Sequence, residues 1–206
     1  MCIFDPIYRQ EKISAHIART LFTISKAIKH LQWEKSKLEN LTPTQIESLL
    51  FINYIRPNAA TVNTLAKHLS CKPATVSGVL DSLENKKLIL RKRKSSDRRY
   101  VLLSLTPKGL KAIGVIKDLG KEIEEIISEF NDEEKGIFEE LLMKLSRKLR
   151  QKGYVYNAEI CKSCCFFKPN KYPRSSKPHY CNCLNIVLGK EDIYKECPDY
   201  KDALNW

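Results

Sequence analysis

Between Val62 and Leu105 the apolar residues change their period, and no other feature of the chain restricts its fold as much. Val62, Leu65 and Leu69, then Val76, Val79, Leu80 and Leu83, recur mostly at spacings of three and four, the mark of two short amphipathic helices. Only Ser70-Cys71-Lys72 separates them, a break as short as a helix-turn-helix requires. Leu88 to Arg93 and Tyr100 to Leu105 then read as strands. The polar stretch Lys94-Ser95-Ser96-Asp97-Arg98-Arg99 joins them into a hairpin.

The flanks are helical. From Ile13 the residues Ile13, Ile17, Leu21, Ile24, Ile28 and Leu31 form one long apolar stripe. Thr42-Pro43 supplies an N-cap with proline in the first helical position, opening a helix marked by Ile46, Leu49, Leu50 and Tyr54 that must stop before Pro57. After the hairpin, Thr106-Pro107 opens a helix carrying Leu110, Ile113, Ile116, Ile123, Ile127 and Phe130, read as one continuous element. Asn131 or Asp132 caps a last helix with the stripe Ile137, Leu141, Leu145 and Leu149. The expected fold class is mainly α with a small β-hairpin wing (α+β), a winged helix-turn-helix core flanked by long dimerisation helices. Those helices carry too much apolar surface to stand as solvated rods, so a two-fold dimer is expected, with bundling inside one chain as the alternative. The expected domains are 1–152 for this unit, 153–160 for a linker, and 161–206 for a small Cys-rich C-terminal domain.

A formal net charge of +12 on 206 residues points to a polyanionic partner, because clustered Lys and Arg displace the counterions around phosphates. By charge alone DNA, RNA and an anionic membrane all qualify. The stretch from Lys86 to Arg99, however, holds eight Lys or Arg against one acid, Asp97. An isolated run of this kind reads as solvated surface. Placed directly after a helix-turn-helix, it reads as a wing. Pro73 to Asn85 is the candidate recognition helix, with Lys72, Thr75, Ser77 and Asp81 opposite its apolar stripe, where the base edges of a major groove would lie. Arg91, Arg93 and Lys94 join them as candidate DNA contacts on the hairpin.

The segments Thr61-Val62 through Leu69, Pro73-Ala74-Thr75-Val76-Ser77, Leu80-Asp81-Ser82-Leu83-Glu84, Leu88-Ile89, Asp97-Arg98-Arg99 and Leu105-Thr106-Pro107-Lys108-Gly109 follow one another in an order that resembles the MarR family of winged-helix repressors, over about residues 10 to 150. The resemblance implies a homodimer held by the first and last helices on a pseudo-palindromic DNA site. It also implies a wing-tip arginine reaching the minor groove, at Arg98 or Arg99, with Asp97 as the orienting carboxylate. Two positions depart from the family. Gly78 stands where a longer polar or basic residue is common, so the operator preference does not carry over. Lys87 stands where glycine is common, so a left-handed residue there would bear a conformational cost.

Six of the eight cysteines lie between Cys161 and Cys197, in a stretch with prolines at 169, 173, 178 and 198 and no sustained period. A segment this small needs a staple, and in a reducing compartment such clustering favours metal ligation over disulfides. Cys161 and Cys164 form a C-x2-C pair that can clasp one metal, and Cys181 and Cys197 are the candidate third and fourth ligands, each about sixteen residues on. Cys165 and Cys183 are spare, and His179 is a substitute ligand. The spacing fits zinc incompletely, lacking a second C-x2-C, while Cys161 to Phe167 with the later Cys197-Pro198 also looks like segments that carry a [4Fe-4S] cluster. Unmetallated thiols or disulfides are the third outcome. Cys71 is expected to pack as a small hydrophobe at the turn before the recognition helix.

The expected function is a sequence-specific DNA-binding transcriptional regulator, most simply a dimeric repressor responding to a ligand, metal or redox signal. The alternative is a redox or electron-transfer protein using the C-terminal cysteines. An enzyme is not expected: the histidines are scattered, and no Ser-His-Asp order, glycine-rich phosphate loop or paired carboxylates stand out. Double-stranded DNA, a second copy of the chain and an unidentified small-molecule effector are the expected partners. No apolar run approaches the roughly 18 to 20 residues that span a bilayer, and Met1-Cys2-Ile3-Phe4-Asp5-Pro6 lacks a signal-peptide layout. No membrane partner and a cytoplasmic location are therefore expected.

Overall fold

A computed structural model of the chain describes residues 2–38, 40–56, 58–94, 97–155 and 161–203, without the side chains of residues 38, 94 and 97–100. Reciprocal caps start three of its helices. At α3 (Pro43–Tyr54) the Thr42 hydroxyl accepts from the Gln45 N–H while the Gln45 side chain accepts from the Thr42 N–H. Thr61 and Thr64 do the same for α4 (Val62–His68), and Asn131 and Glu134 for α8 (Asp132–Gln151). Each pairing satisfies two backbone donors that a helix start leaves without partners. Helix α4 ends where Ser70 takes a left-handed φ of 51°, and the chain turns at once into α5 (Pro73–Asn85).

The hairpin follows as β1 (Ile89–Lys94) and β2 (Asp97–Leu105), antiparallel, with Ile89 opposite Leu105 and a bulge between Arg93 and Lys94. Its strands reach further towards the tip than the sequence pattern suggested, because backbone pairing continues into residues that have no apolar alternation. The far edge of β2 is tied to the start of α4, the Leu103 N–H donating to the Ala60 carbonyl at 2.8 Å. Phe51, Leu65, Val76, Leu80, Leu83, Ile89 and Ile116 meet in one core shared by these elements and α6 (Pro107–Ile116). Helix α6 sits tightly against the hairpin at Gly109, where a Cβ would stand 2.1 Å from the Leu88 carbonyl oxygen.

Two features differ from the sequence reading. The continuous helix expected after Pro107 is two helices, α6 and α7 (Lys121–Ser128), separated by a turn in which Gly120 takes a φ of 93°. The three-and-four spacing survives the break, which is why the pattern hid it. A short α1 (Pro6–Glu11), capped by the Asp5 carboxylate, precedes the long α2 (Ile13–Leu38) and gave no periodic signal. No helix among the described residues is long and apolar enough to cross a membrane.

Residues 161–203 fold around the antiparallel sheet β3 (Phe167–Lys168), β4 (His179–Cys181) and β5 (Ile186–Leu188), in that order, with two short 3-10 turns. Cys161, Cys181, Leu188 and Ile193 are its buried centre. The segment meets the helical core at definite places. Ile55, just past α3, forms a parallel bridge with Glu196, and the Asp202 carboxylate lies 3.1 Å from the Arg147 guanidinium of α8.

Candidate nucleic-acid interface and cysteine cavity

Helix α5 buries Val76, Leu80 and Leu83 and turns Lys72, Thr75, Gly78 and Asp81 outward, as its sequence pattern required. Ser77 is half-buried, and its hydroxyl donates to the Pro73 carbonyl at 3.1 Å. Arg91 of β1 is tied down. Its guanidinium reaches the Asp81 carboxylate at 2.6 Å, the Ser77 carbonyl at 3.2 Å and Glu84 at 3.4 Å. Arg91 thereby clamps the wing to the recognition helix, and two acids offset its charge. Arg93 is exposed farther along the same strand. The side chains of Lys94, Asp97, Arg98 and Arg99 lie outside the described residues. Lys86 is structural, its ammonium donating to the Asn40 carbonyl at 2.6 Å. Lys87 adopts a left-handed φ of 60°, so the conformational cost that glycine would avoid falls on it.

Two further groups escaped sequence reasoning. His68, at the end of α4, stacks on Phe51 and places Nδ1 3.2 Å from Glu196 and Nε2 3.5 Å from Glu47. Burial pulls its pKa down, but the two carboxylates outweigh burial and raise it to about 9. Arg56, two residues beyond α3, is only 4% exposed. Its guanidinium contacts the Cys161 sulfur through Nη2, while Nε and Nη1 have no hydrogen-bond partner among the described residues.

Arg56 projects into a cavity walled by cysteines. Cys161, Cys164, Cys181 and Cys197, the four candidate ligands, all line it, and so does Cys183. Phe166, Phe167 and Leu188 form its apolar wall, and Asp199 and Tyr200 also line it. Cys165 does not face the cavity; its backbone N–H donates to the Lys201 carbonyl at 2.9 Å. His179 is turned elsewhere, Nδ1 accepting from the Asn170 N–H at 3.2 Å. Burial raises the Cys161 pKa against the opposing pull of Arg56 and pushes that of Cys197 up to about 11. As they stand, no three His, Cys, Asp or Glu side chains among the described residues have the arrangement of a metal-ion site. Cys71 is half-buried and packs against the main core.

A recognition helix with a polar outer face, clamped to a cationic hairpin and set on a capped helix-turn-helix, defines a winged-helix DNA-binding regulator. The MarR family model matches residues 41–101, the stretch from α3 into the wing. The transcriptional regulator ZitR of Lactococcus lactis subsp. cremoris is 33% identical over 120 residues, spanning 53% of this chain and 77% of that protein. The HTH-type transcriptional regulator YsmB of Bacillus subtilis is 28% identical over 139 residues, 67% of this chain and 94% of that protein. Among solved structures, MepR of S. aureus in complex with DNA superposes with a TM-score of 0.57 at 28% identity, over 64% of this chain and 97% of MepR. The chain belongs to the MarR family. The matched family segment ends at residue 101, so the five cysteines of the cavity lie outside it, whereas Arg56 lies within it.

Proposed function

We propose that the protein is a homodimeric transcriptional repressor that inserts α5 into the major groove and lays the β1–β2 wing along the adjacent backbone. The observation that carries this reading is the outward polar face of α5 held beside a cationic hairpin by the Arg91 clamp. The likeness to MepR bound to DNA supports it. Apolar side chains left exposed along α2 and α8, from Ile13 and Ile17 to Ile137 and Leu141, supply the surface for a second copy. A dimer bound to two half-sites blocks promoter access, and a ligand, metal or redox signal releases it by favouring a different spacing of the two recognition helices.

The test is a fluorescence-anisotropy titration of duplexes selected by the protein from a random library. Arg98→Ala and Arg99→Ala are expected to weaken binding and to lower the slope of log affinity against log salt by about 1 for each lost phosphate contact. Unchanged binding in both variants rejects the wing assignment.

A further inference from the structure

We infer that the cysteine cavity is a thiolate metal centre, held by Cys161, Cys164, Cys181 and Cys197, and that Arg56 couples its occupancy to the DNA-binding core. The inference rests on the repressor reading for its regulatory consequence and on the cavity alone for the metal. Its starting point is the buried cation. A guanidinium removed from water is costly unless an anion and hydrogen bonds compensate it. Arg56 is 4% exposed, two of its nitrogens have no hydrogen-bond partner among the described residues, and what its guanidinium meets is sulfur. Neutral thiols are poor compensation. Asp199 is the one carboxylate in the cavity wall and makes no hydrogen bond to Arg56 among the described residues. Four thiolates on a zinc ion or a [4Fe-4S] cluster in its ordinary oxidised form would add about two negative charges beside this guanidinium.

The donor set points the same way. The thiols come from stretches far apart in the segment: the first 3-10 turn and its end, strand β4, and the loop beyond the second turn. Packing alone would be served by any small apolar residues at these places. Soft sulfur donors without a histidine in the wall select thiophilic metals, and the surrounding rings of Phe166 and Phe167 exclude water. On binding, the thiols release their protons to solvent and the sulfurs close on the metal.

That closure cannot stay local. Arg56 and Ile55 continue directly from α3, and the Arg56 N–H donates to the Glu196 carbonyl at 3.4 Å. Glu196 adjoins Cys197, and its carboxylate holds His68 at the end of α4. Movement of Cys161 and Cys197 onto a metal therefore acts on the ends of both helices that carry α5. Coupling of this kind is reciprocal, so DNA must alter metal affinity by the factor by which metal alters DNA affinity.

The test uses the full chain purified without oxygen. Zinc, iron and sulfide are assayed per chain, with the visible spectrum recorded. About one zinc in a colourless sample, or about four irons and four sulfides with broad absorption, supports the centre and tells the two metals apart. Metal in fewer than about one chain in ten, after reloading with zinc chloride or with iron and sulfide, overturns it. Cys181→Ser is expected to lose the metal and Cys165→Ser to keep it; equal retention overturns the ligand set. Because a serine variant can misfold, thiols of the unmodified protein are also counted with a thiol reagent before and after chelation. About four are expected to appear, and no change rejects the centre. Arg56→Gln is expected to weaken metal retention against a competing chelator on the order of 10- to 100-fold, with Arg56→Lys recovering most of it. No effect of Arg56→Gln removes Arg56 from the proposal. Finally, loaded and chelated protein are titrated with the selected duplex, where a difference of about fivefold or more is expected. Equal affinities overturn the coupling alone, whereas no binding in either state overturns the repressor reading instead.

Discussion

Lys87 shows what a single backbone angle costs. A non-glycine residue held at a φ of 60° is strained by about 1 to 2 kcal/mol, and here its exposed side chain returns nothing visible for that cost. Lys87→Gly is therefore expected to stabilise the protein by about 1 kcal/mol in urea denaturation, after allowance for glycine's larger entropy loss. His68 gives a pH prediction. Its folded pKa of about 9 exceeds the unfolded value of about 6.5, so its contribution is complete below the lower value. It fades as pH rises through the window between them and is gone above about 9. Urea midpoints measured from pH 6 to 9.5 are expected to fall more steeply in the parent than in His68→Gln, and parallel profiles would refute the assignment. The caps at Thr42, Thr61, Thr106 and Asn131 mark helix starts through contacts within three residues, so Thr42, Thr106 and Asn131 could be named from local sequence. Arg56 and His68 could not. The partner of Arg56 lies 105 residues away, and no local pattern announces such a meeting.

Among the elements, the hairpin and its neighbouring helices were the most legible, because period 2 follows period 3.6 at short range and each apolar face had one obvious place to go. The α6–α7 break was hidden because Gly120 interrupts the backbone without interrupting the apolar spacing. Packing between elements was equally silent. Gly109 gives no sign in the sequence that α6 comes within van der Waals reach of the Leu88 backbone. Gly109→Ala is expected to destabilise the protein by about 1 to 3 kcal/mol, since the obstructing atom is a carbonyl oxygen that no rotamer change can move. An unchanged thermal midpoint would show that the hairpin and α6 can separate without loss.

At the scale of the whole molecule, the proposed dimer rests on the apolar faces of α2 and α8. Ile13 is 76% exposed and Leu141 58% exposed in the single chain, an arrangement that favours association. Leu141→Glu combined with Ile17→Glu is expected to give a monomer by sedimentation velocity at micromolar concentration and to lose tight binding to a two-half-site duplex. A dimer that survives both changes would place the interface elsewhere. The meeting of Ile55 with Glu196 also sets an order of events. Synthesis proceeds at roughly 5 to 20 residues per second, so on the order of ten seconds separate the appearance of Arg56 from that of Glu196 and Cys197. Until then Arg56 is without the sulfurs that surround it in the folded chain. The newborn winged helix thus meets its cysteine cap late, and every molecule begins life without the part that would report to it.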